Sequence, residues 1–509
     1  MNNNYTKFAL RNSFVGATVF ILQMIVGFIT RYFFIQFLGV EILGLNGLFT
    51  NVLMILSLAE LGIGPALVYS LYKPLSLKDN ETTISLMAFY KKIYSIIGII
   101  IGVLGVIFIP FLHLILKNNQ NIDGIYLYYI LFLLNTVVSY FFTYKRSIII
   151  ADQNNYIVTL NDFFFWILFE VVGTFILFYY RNYAFYLVFQ VLCTIVGNIS
   201  ISIKADKEYP FLKKLKSSNK QLPENLIDEI KKNTLGQFSN KIGYMVVTGT
   251  DNILISIFIG LTKVGLYNNY SLIIASLNAL VNQVTGSITA TIGNFKISSS
   301  DEEGINVFKI HIFLCYSIAY FFSAFLLVLI NPFIDIWIGH SFRLGFMTVF
   351  IMVINFAVGV TRKSSLSFID AYGLAWFQRH KSIVEAVLNL AFSLFFVGVM
   401  DLGLNGILFG TLLSSILVPC WYEPYVLFKY GFNKGFNQYL RTLPKNLLLL
   451  VSSIVISLLI SNYFKGNLGI LYFVVRILVT SGIILPIYVL QSFHRPEFKA
   501  LTKVIKRKF

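Results

Sequence analysis

The sequence predicts an all-α polytopic membrane protein of about 14 transmembrane helices, with two six-helix lobes related by a parallel pseudo-two-fold repeat and two further C-terminal helices. Three observations predict it. Only 12% of the 509 residues are charged and 57% are hydrophobic, whereas a soluble domain carries roughly 25% charged residues. Apolar runs of about 20 residues recur along the chain, and an internal offset relates its two halves. A water-soluble protein is therefore excluded.

The predicted spans follow the apolar runs, each long enough to cross a hydrocarbon core of about 30 Å. They cover residues 13–37, 45–70, 87–112, 124–147, 156–180, 183–204, 234–259, 265–294, 306–331, 344–370, 378–400, 404–428, 445–463 and 467–491. Since their number is even, we expect both termini on one side of the membrane.

Basic residues predict which side that is. The termini and every second loop hold 32 of the 40 Lys and Arg residues, and the alternate loops hold five: Lys117, Arg181, Lys263, Arg343 and Lys465. Cytoplasmic loops carry the excess of basic residues in membrane proteins. We therefore expect both termini in the cytoplasm of a bacterial plasma-membrane protein, and we read the net charge of +17 as topological, with no nucleic-acid partner.

An ungapped offset of 221 residues supports an internal repeat. It pairs Gly39 with Gly260 and Gly44 with Gly265, at the turn between the first and second spans of each half. We expect an N-lobe at 1–204, a cytoplasmic linker with a short amphipathic helix at 205–232, a C-lobe at 233–430, and the last two spans with a basic cytoplasmic tail at 431–509.

Motifs for several kinds of chemistry are missing from the sequence. It has no GxxxxGK[ST] phosphate loop, so we expect no ATP hydrolysis by this chain. Its five His residues have no ligand spacing, and its three Cys residues lie in apolar runs without a CxxC pair. We expect no catalytic residues, no metal site and no cofactor, and hence a protein that is not an enzyme.

Ionisable residues at membrane depth are the candidate functional groups, because they usually face a bundle interior or a wet cavity. Arg31 in the first span and Lys241 in the seventh are predicted to line a cationic cavity, although each could also extend to the nearer membrane surface. Glu60 precedes Gly62, Gly64 and Pro65, a combination that predicts a hinge beside a buried acid.

Two further acids and one further arginine complete the candidate set. Asp251 and Glu170 are expected, with Glu60, to form polar cavity sites, where a coupling ion, H⁺ or Na⁺, could bind. Arg476 in the last span is predicted either to extend to the surface or to bind a lipid phosphate in a lipid groove. Arg362, Lys363, Asp370 and Glu385 are interpreted as mainly topological.

An ordered series of strings resembles the polysaccharide-unit flippases of Gram-positive bacteria, which belong to the multidrug/oligosaccharidyl-lipid/polysaccharide (MOP) exporter superfamily. The strings are TRYFFIQFLG (30–39), LGLNGLFTN (43–51), LAELGIGPA (58–66), LYKP (71–74), TDNILISIFIG (250–260), VGLYNNYS (264–271), ATIGNF (290–295), NPFIDIWIG (331–339), DAYGLAW (370–376) and EAVLNL (385–390). Together they extend over most of the chain.

The resemblance implies a MATE-like transporter that moves an undecaprenyl-diphosphate-linked oligosaccharide from the inner to the outer leaflet by alternating access, for capsule or other surface polysaccharides. It implies that Arg31 and Lys241 hold the diphosphate and that the last two helices form a groove for the lipid tail. The implied partners are this glycolipid, membrane lipids, a coupling ion, and the polysaccharide polymerase and glycosyltransferases of the pathway.

Two other functions stay open at this point. A multidrug or organic-cation exporter of the same superfamily would use unpaired acids such as Asp251, Glu170 and Glu60. A membrane polysaccharide polymerase or glycosyltransferase ranks lower, because the predicted outer loops are short and hold few acids, namely Glu41, Asp123, Asp335 and Asp401.

Overall fold

The computed structural model of the protein describes residues 3–60, 63–116, 122–212, 249–298, 300–464 and 469–508. These ranges are mainly helical and contain no strand. Eleven of the described helical segments are long and apolar enough to cross a membrane. The predicted all-α, multi-pass membrane class is therefore confirmed, while the count of 14 spans stays a prediction.

The chain forms two compact units, Met1–Gly265 and Leu266–Phe509. The helices that begin in the first unit are α1 (Asn3–Leu56), α2 (Ile63–Ser76), α3 (Asn80–Phe108), α4 (Ile125–Ala151), α5 (Asn155–Tyr180), α6 (Tyr183–Glu208), α7 (249–258) and α8 (Leu261–Ser298). Here α4 packs against α3 and α6, and α1 packs against α5. The division into units places α7 in the first unit, whereas the predicted second lobe begins at residue 233. The lobe assignment itself stays a prediction.

The second unit is built around α9, a long and largely buried helix. Its described helices are α9 (Asp301–Trp337), α10 (Phe346–Ala371), α11 (Arg379–Gly398), α12 (Gly403–Leu417), α13 (Pro419–Val426), α14 (Leu443–Tyr463), α15 (Ile470–Ser492) and α16 (Pro496–Lys508). Helix α9 packs against α10, α14, α15 and α16. Tyr320 of α9 donates a hydrogen bond to the Ile484 carbonyl of α15, at 3.0 Å, which ties the last span to this core.

Three parts of the chain differ from the predicted spans. The predicted helix 45–70 is interrupted by a 3₁₀ turn at Ser57–Glu60, just before the glycines and the proline of the predicted hinge. The predicted helix 404–428 is divided at Val418, because Pro419 lacks the backbone N–H that would continue it. The predicted basic tail is the helix α16, whose Phe498 and Leu501 pack on the core of the second unit. The predicted linker lies mostly outside the described residues.

Within the first unit, the two glycine pairs of the repeat have matching surroundings. Gly39 and Gly260 both have positive φ values, 82° and 118°, which favour glycine. A Cβ on Gly44 would lie 2.0 Å from the Leu261 carbonyl oxygen, and one on Gly265 would lie 2.2 Å from the Val40 carbonyl oxygen. Leu261 follows Val40 by the same 221 residues. Backbones thus approach closely here in a reciprocal way, which requires glycine at both positions.

An arginine links three helices of the first unit. Arg146 of α4 donates to Asp162 of α5 at 2.5 Å and to the Asn198 side-chain oxygen of α6 at 2.9 Å. Its neighbour Lys145 pairs with Asp206 of α6 at 2.7 Å. These basic residues, predicted to mark the cytoplasmic end of a span, therefore also hold α4, α5 and α6 together.

A buried network of two cations and two anions does the same in the second unit. Arg362 of α10 donates to both carboxylate oxygens of Glu423 in α13, at 2.7 and 3.2 Å, and to Glu385 of α11 at 3.1 Å. Lys381 of α11 contacts Glu423 at 2.7 Å and Glu385 at 3.4 Å. The Glu423 side chain is 0% exposed. The topological interpretation of Arg362 and Glu385 was thus incomplete, since both are ion-pair partners inside the unit.

Replacing Gly44 by Ala should destabilise the protein by about 1 to 3 kcal/mol or more, because the added methyl group would overlap the Leu261 carbonyl. The thermal unfolding midpoint of the purified protein in detergent measures this effect. Gly27→Ala is the matched control in α1, since nothing lies within 4 Å of a Cβ there. Equal midpoints for the two variants would contradict the close approach.

Replacing Glu423 by Gln should cost about 3 to 5 kcal/mol of unfolding free energy, because the half-buried Arg362 and the buried Lys381 would be left with one anion between them. The thermal midpoint in detergent again provides the measurement. Glu302→Gln removes an exposed acid 3.8 Å from Lys434 and should have little effect. A Glu423→Gln midpoint as high as that of Glu302→Gln would show that the network contributes little to stability.

Candidate functional site

The first unit brings two of the predicted site residues together. Arg31 on α1 interacts electrostatically with Glu170 on α5 and with Tyr183 and Tyr186 on α6. Both charged side chains are half-buried, and the Thr30 hydroxyl lies within reach of the Glu170 carboxylate. A cation predicted for phosphate binding and an acid predicted for ion coupling therefore share one polar site. We call Arg31, Glu170, Tyr183 and Tyr186 the Arg31 cluster.

Aromatic packing fixes the tyrosines of the Arg31 cluster. The Tyr183 and Tyr186 rings stack with centroids 6.0 Å apart, and Phe34 of α1 contacts each of them edge-on. Asn46 of α1 donates a hydrogen bond to the Tyr183 hydroxyl at 3.1 Å. The buried tyrosines hold α1 against α6, so the position of Arg31 is set by rigid helices.

The residue types of the Arg31 cluster suit an anionic, hydroxyl-rich group. A guanidinium binds phosphate through parallel N–H donors, and a tyrosine offers both an apolar ring face and a polar hydroxyl. Glu170 offsets part of the Arg31 charge. An organic cation would require an isolated buried acid, whereas the acid of the Arg31 cluster, Glu170, lies beside Arg31.

Glu60 lies in the second polar region of the first unit. It ends the 3₁₀ turn Ser57–Glu60, and its carboxylate lies next to Tyr140 of α4 and near Tyr94 of α3. Glu60 is half-buried, whereas both tyrosines are buried. The structure thus places the acid at an interruption of the helix with phenol groups as neighbours, and half-buried where the sequence predicts a buried acid.

Asp251 lies on α7, whose surroundings are tightly packed. Its side chain is buried, and the adjacent Asn252 donates to the Gly47 carbonyl of α1 at 3.5 Å. Asn51 of α1 donates in turn to the Gly249 carbonyl, at 3.3 Å. Polar contacts of this kind hold α7 against α1 and keep Asp251 away from lipid.

Arg476 turns inward from α15. It is buried and donates a hydrogen bond from Nη2 to the Phe464 carbonyl at 2.6 Å, with its guanidinium carbon 5.4 Å from the Phe464 ring centroid. It lines a cavity of the second unit together with Asp335 and Arg343. Arg476 is thus buried beside this cavity, and its two predicted behaviours, extension to the surface and binding of a lipid phosphate, stay predictions.

Lys241, the predicted partner of Arg31, lies outside the described residues. The sequence interpretation also missed Glu423. Its signal was present, since an acid stands in the apolar run 416–428 of a predicted span, and an acid at membrane depth needs a partner.

Comparison with solved structures places the fold among MOP transporters. An inward-facing multidrug resistance MATE transporter of the MOP superfamily matches with a TM-score of 0.62 and 13% identity, over 81% of this chain and 98% of that one. A lipid II flippase, MurJ, in an inward closed conformation matches with a TM-score of 0.65 and 15% identity, over 93% and 98%. A MOP superfamily transporter from Pyrococcus furiosus, described as having a binding pocket of reversed polarity, matches at 0.56 and 15%, over 84% and 97%.

The predicted MOP-like fold is thereby confirmed. No curated protein matches the sequence. The profile of a protein family does match, over residues 9–292, which is more than half of the chain and includes the Arg31 cluster. This chain belongs to the family described as polysaccharide biosynthesis protein.

Proposed function

We propose that this protein is a flippase that moves a polyprenol-diphosphate-linked oligosaccharide, with undecaprenol as the expected lipid, from the inner to the outer leaflet of a bacterial plasma membrane. The movement would serve capsule or another surface polysaccharide. Both termini would lie in the cytoplasm, as the basic loops predict. The protein would act as a transporter without catalytic residues or a cofactor.

Family membership and fold support this function from two directions. The family is described by polysaccharide biosynthesis, and one protein of the same fold is described as a lipid II flippase. Fold alone leaves function open. A lipid-linked sugar substrate is the proposal that accounts for both descriptions.

The single observation that carries the proposal is the Arg31 cluster inside a membrane-spanning unit. A lipid's hydrocarbon tail can stay in the bilayer while its diphosphate and sugars move, but the polar headgroup needs a protein path. Arg31 would contact the diphosphate, and the buried tyrosines Tyr183 and Tyr186 would hold α1 and α6 in place beside it. Lys241 is proposed as a second phosphate contact.

Membrane potential would favour outward movement. Moving one charge across 100 mV is worth about 2.3 kcal/mol, so two phosphate charges leaving an inside-negative cell would gain roughly 4 to 5 kcal/mol. Glu60, Glu170 and Asp251 are proposed as sites for a coupling H⁺ or Na⁺. Of these, Glu60 lies at an interruption in the helix, where binding an ion could change the backbone path.

The organic-cation exporter is the second candidate, because a multidrug MATE transporter has the same fold. Such a substrate needs an acid that is available to it. Glu170 instead lies beside Arg31, so the Arg31 cluster offers no acid without a neighbouring cation. The lipid-linked sugar is preferred because the family is described by polysaccharide biosynthesis.

Replacing Arg31 by Gln should slow translocation of a labelled polyprenol-diphosphate oligosaccharide in proteoliposomes by on the order of tenfold, since a charged hydrogen bond contributes about 1.5 to 3 kcal/mol. Arg31→Lys should retain part of the rate, because an ammonium keeps the charge and loses the paired donors. The rate at which labelled headgroups become accessible on the opposite side of the vesicle is the measured quantity.

Arg181→Gln is the matched control, because it removes an exposed arginine at the end of α5, and it should leave the rate unchanged. Wild-type rates for Arg31→Gln would remove the Arg31 cluster from the transport path. Circular dichroism and elution volume in detergent report whether each variant is folded.

A further inference from the structure

The second unit contains a large polar cavity that the proposed function does not use. Its volume is about 910 Å³, and it lies where α9 and α14 end and α10 and α15 begin. Its polar lining is Asn331, Asp335, His340, Arg343, Asn462 and Arg476. The buried ion network around Arg362 lies roughly 24 Å further along α10, at 1.5 Å per residue. The cavity is therefore separate from that network.

The charged side chains of the cavity carry an excess of positive charge. Asp335 is shared between His340, at 3.2 Å, and Arg343, at 3.8 Å. The Asp335 side chain is 7% exposed, whereas those of His340 and Arg343 are 68% and 40% exposed. Arg476 adds a second guanidinium from α15. One carboxylate thus faces two arginines, which favours an anionic ligand.

The backbone also contributes partial positive charge to the cavity. Gly345, which has no side chain to cap a helix, precedes α10, and Gly345 and Phe346 line the cavity. The positive end of the α10 dipole is therefore directed at the ligand space. Arg476 donates to the Phe464 carbonyl at the C-terminal end of α14. The negative end of the α14 dipole therefore already has a cation beside it.

Exposed apolar side chains lie beside the polar lining. Phe346 lines the cavity and is itself exposed, and Tyr463 and Ile470, next to the ends of α14 and α15, are exposed as well. A volume of this size falls within the range of small-molecule pockets, about 300 to 1,000 Å³. It has room for a phosphate together with attached polar groups, while a hydrocarbon chain stays outside in lipid.

We propose that this cavity is a second anion site, which binds the phosphate of a lipid headgroup through Arg476 and Arg343. Asp335 positions Arg343 and limits the affinity, because its carboxylate competes with the ligand for the same guanidinium. By the predicted topology, the cavity opens toward the outer leaflet. The inference uses residues of the second unit alone and does not depend on Arg31.

Binding of radiolabelled inorganic pyrophosphate to the purified full-length protein in phosphatidylcholine nanodiscs tests the site. The background variant Arg31→Gln removes one of the two phosphate contacts of the proposed function, and Lys241, the other, is the same in every variant compared. In that background, Arg476→Gln should weaken binding by on the order of tenfold, and Asp335→Asn should strengthen it, since it removes the competing anion. Arg181→Gln should change nothing.

Opposite effects of the Arg476 and Asp335 variants would support the proposal. Unchanged affinity in Arg476→Gln and in Arg343→Gln would overturn it, and so would a lack of saturable binding in the Arg31→Gln background. If Arg476→Gln does not fold, the more exposed Arg343 carries the test. Failure here, with Arg31→Gln still slowing translocation, would leave the proposed function intact.

Phosphatidylglycerol distinguishes the sources of the phosphate. If a membrane phospholipid is the ligand, replacing a fifth of the phosphatidylcholine by phosphatidylglycerol should displace labelled pyrophosphate from Asp335→Asn protein. If the site prefers a diphosphate, the same exchange should leave the label bound. Displacement and retention of the label both depend on a site that contains Arg476. Displacement that persists in Arg476→Gln would contradict the proposal that Arg476 binds the phosphate.

Discussion

Charge compensation between membrane-spanning helices is the constraint on which the rest of this structure depends. An ionised side chain in a membrane-spanning helix is stable only when partners replace the water that it has lost. Arg146 meets Asp162 and Asn198 in the first unit, and Arg362 meets Glu385 and Glu423 in the second. In each case the partners lie on two other helices. The charges therefore determine which helices must be neighbours, in a solvent where apolar side chains give little preference.

Within this framework the Arg31 cluster stands out for its incomplete pairing. Glu423 makes close ionic contacts to two cations and is fully buried. Arg31 and Glu170, by contrast, interact at longer range, are half-buried, and have tyrosines as their other neighbours. A fully paired network gives stability, whereas a partly paired one leaves capacity for a ligand. The proposed site for an anionic headgroup rests on that difference.

Close packing of backbones is the second means by which the first unit is held together. Small residues let membrane helices approach until backbone atoms touch. Gly44 and Gly265 do so against the carbonyls of Val40 and Leu261, in a region free of ion pairs among the described contacts. The glycine pairs also carry the internal offset, so one sequence signal here reports both a repeat and a contact.

Helix positions were largely predictable because apolar length is a local property. The predicted spans 156–180 and 445–463 lie within about two residues of α5 and α14. The interruption at Ser57–Glu60 was signalled by nearby glycine and proline. The charge networks were not predictable, because Arg362, Glu385 and Glu423 are distant in sequence and their partners depend on how the helices pack. Counting Arg362 as a topology signal, which stays a prediction, left out its role as an ion-pair partner.

The proximity of Arg31 to Glu170 was likewise not predictable from the sequence. Both residues were identified as candidates, but nothing in the sequence indicated that helices α1 and α5 are neighbours. Buried phenols could have indicated it, since Tyr183 and Tyr186 need polar neighbours.

Transport assays with two different substrates test whether the protein moves an anionic lipid-linked sugar and not an organic cation. Proteoliposomes that contain the wild-type protein would be given a labelled polyprenol-diphosphate oligosaccharide and, separately, the organic cation ethidium, with a potential imposed across the membrane. If the protein is a flippase for this glycolipid, the glycolipid headgroup crosses, faster when its destination is positive, and ethidium does not. Transport of ethidium with no movement of the glycolipid would contradict the flippase proposal.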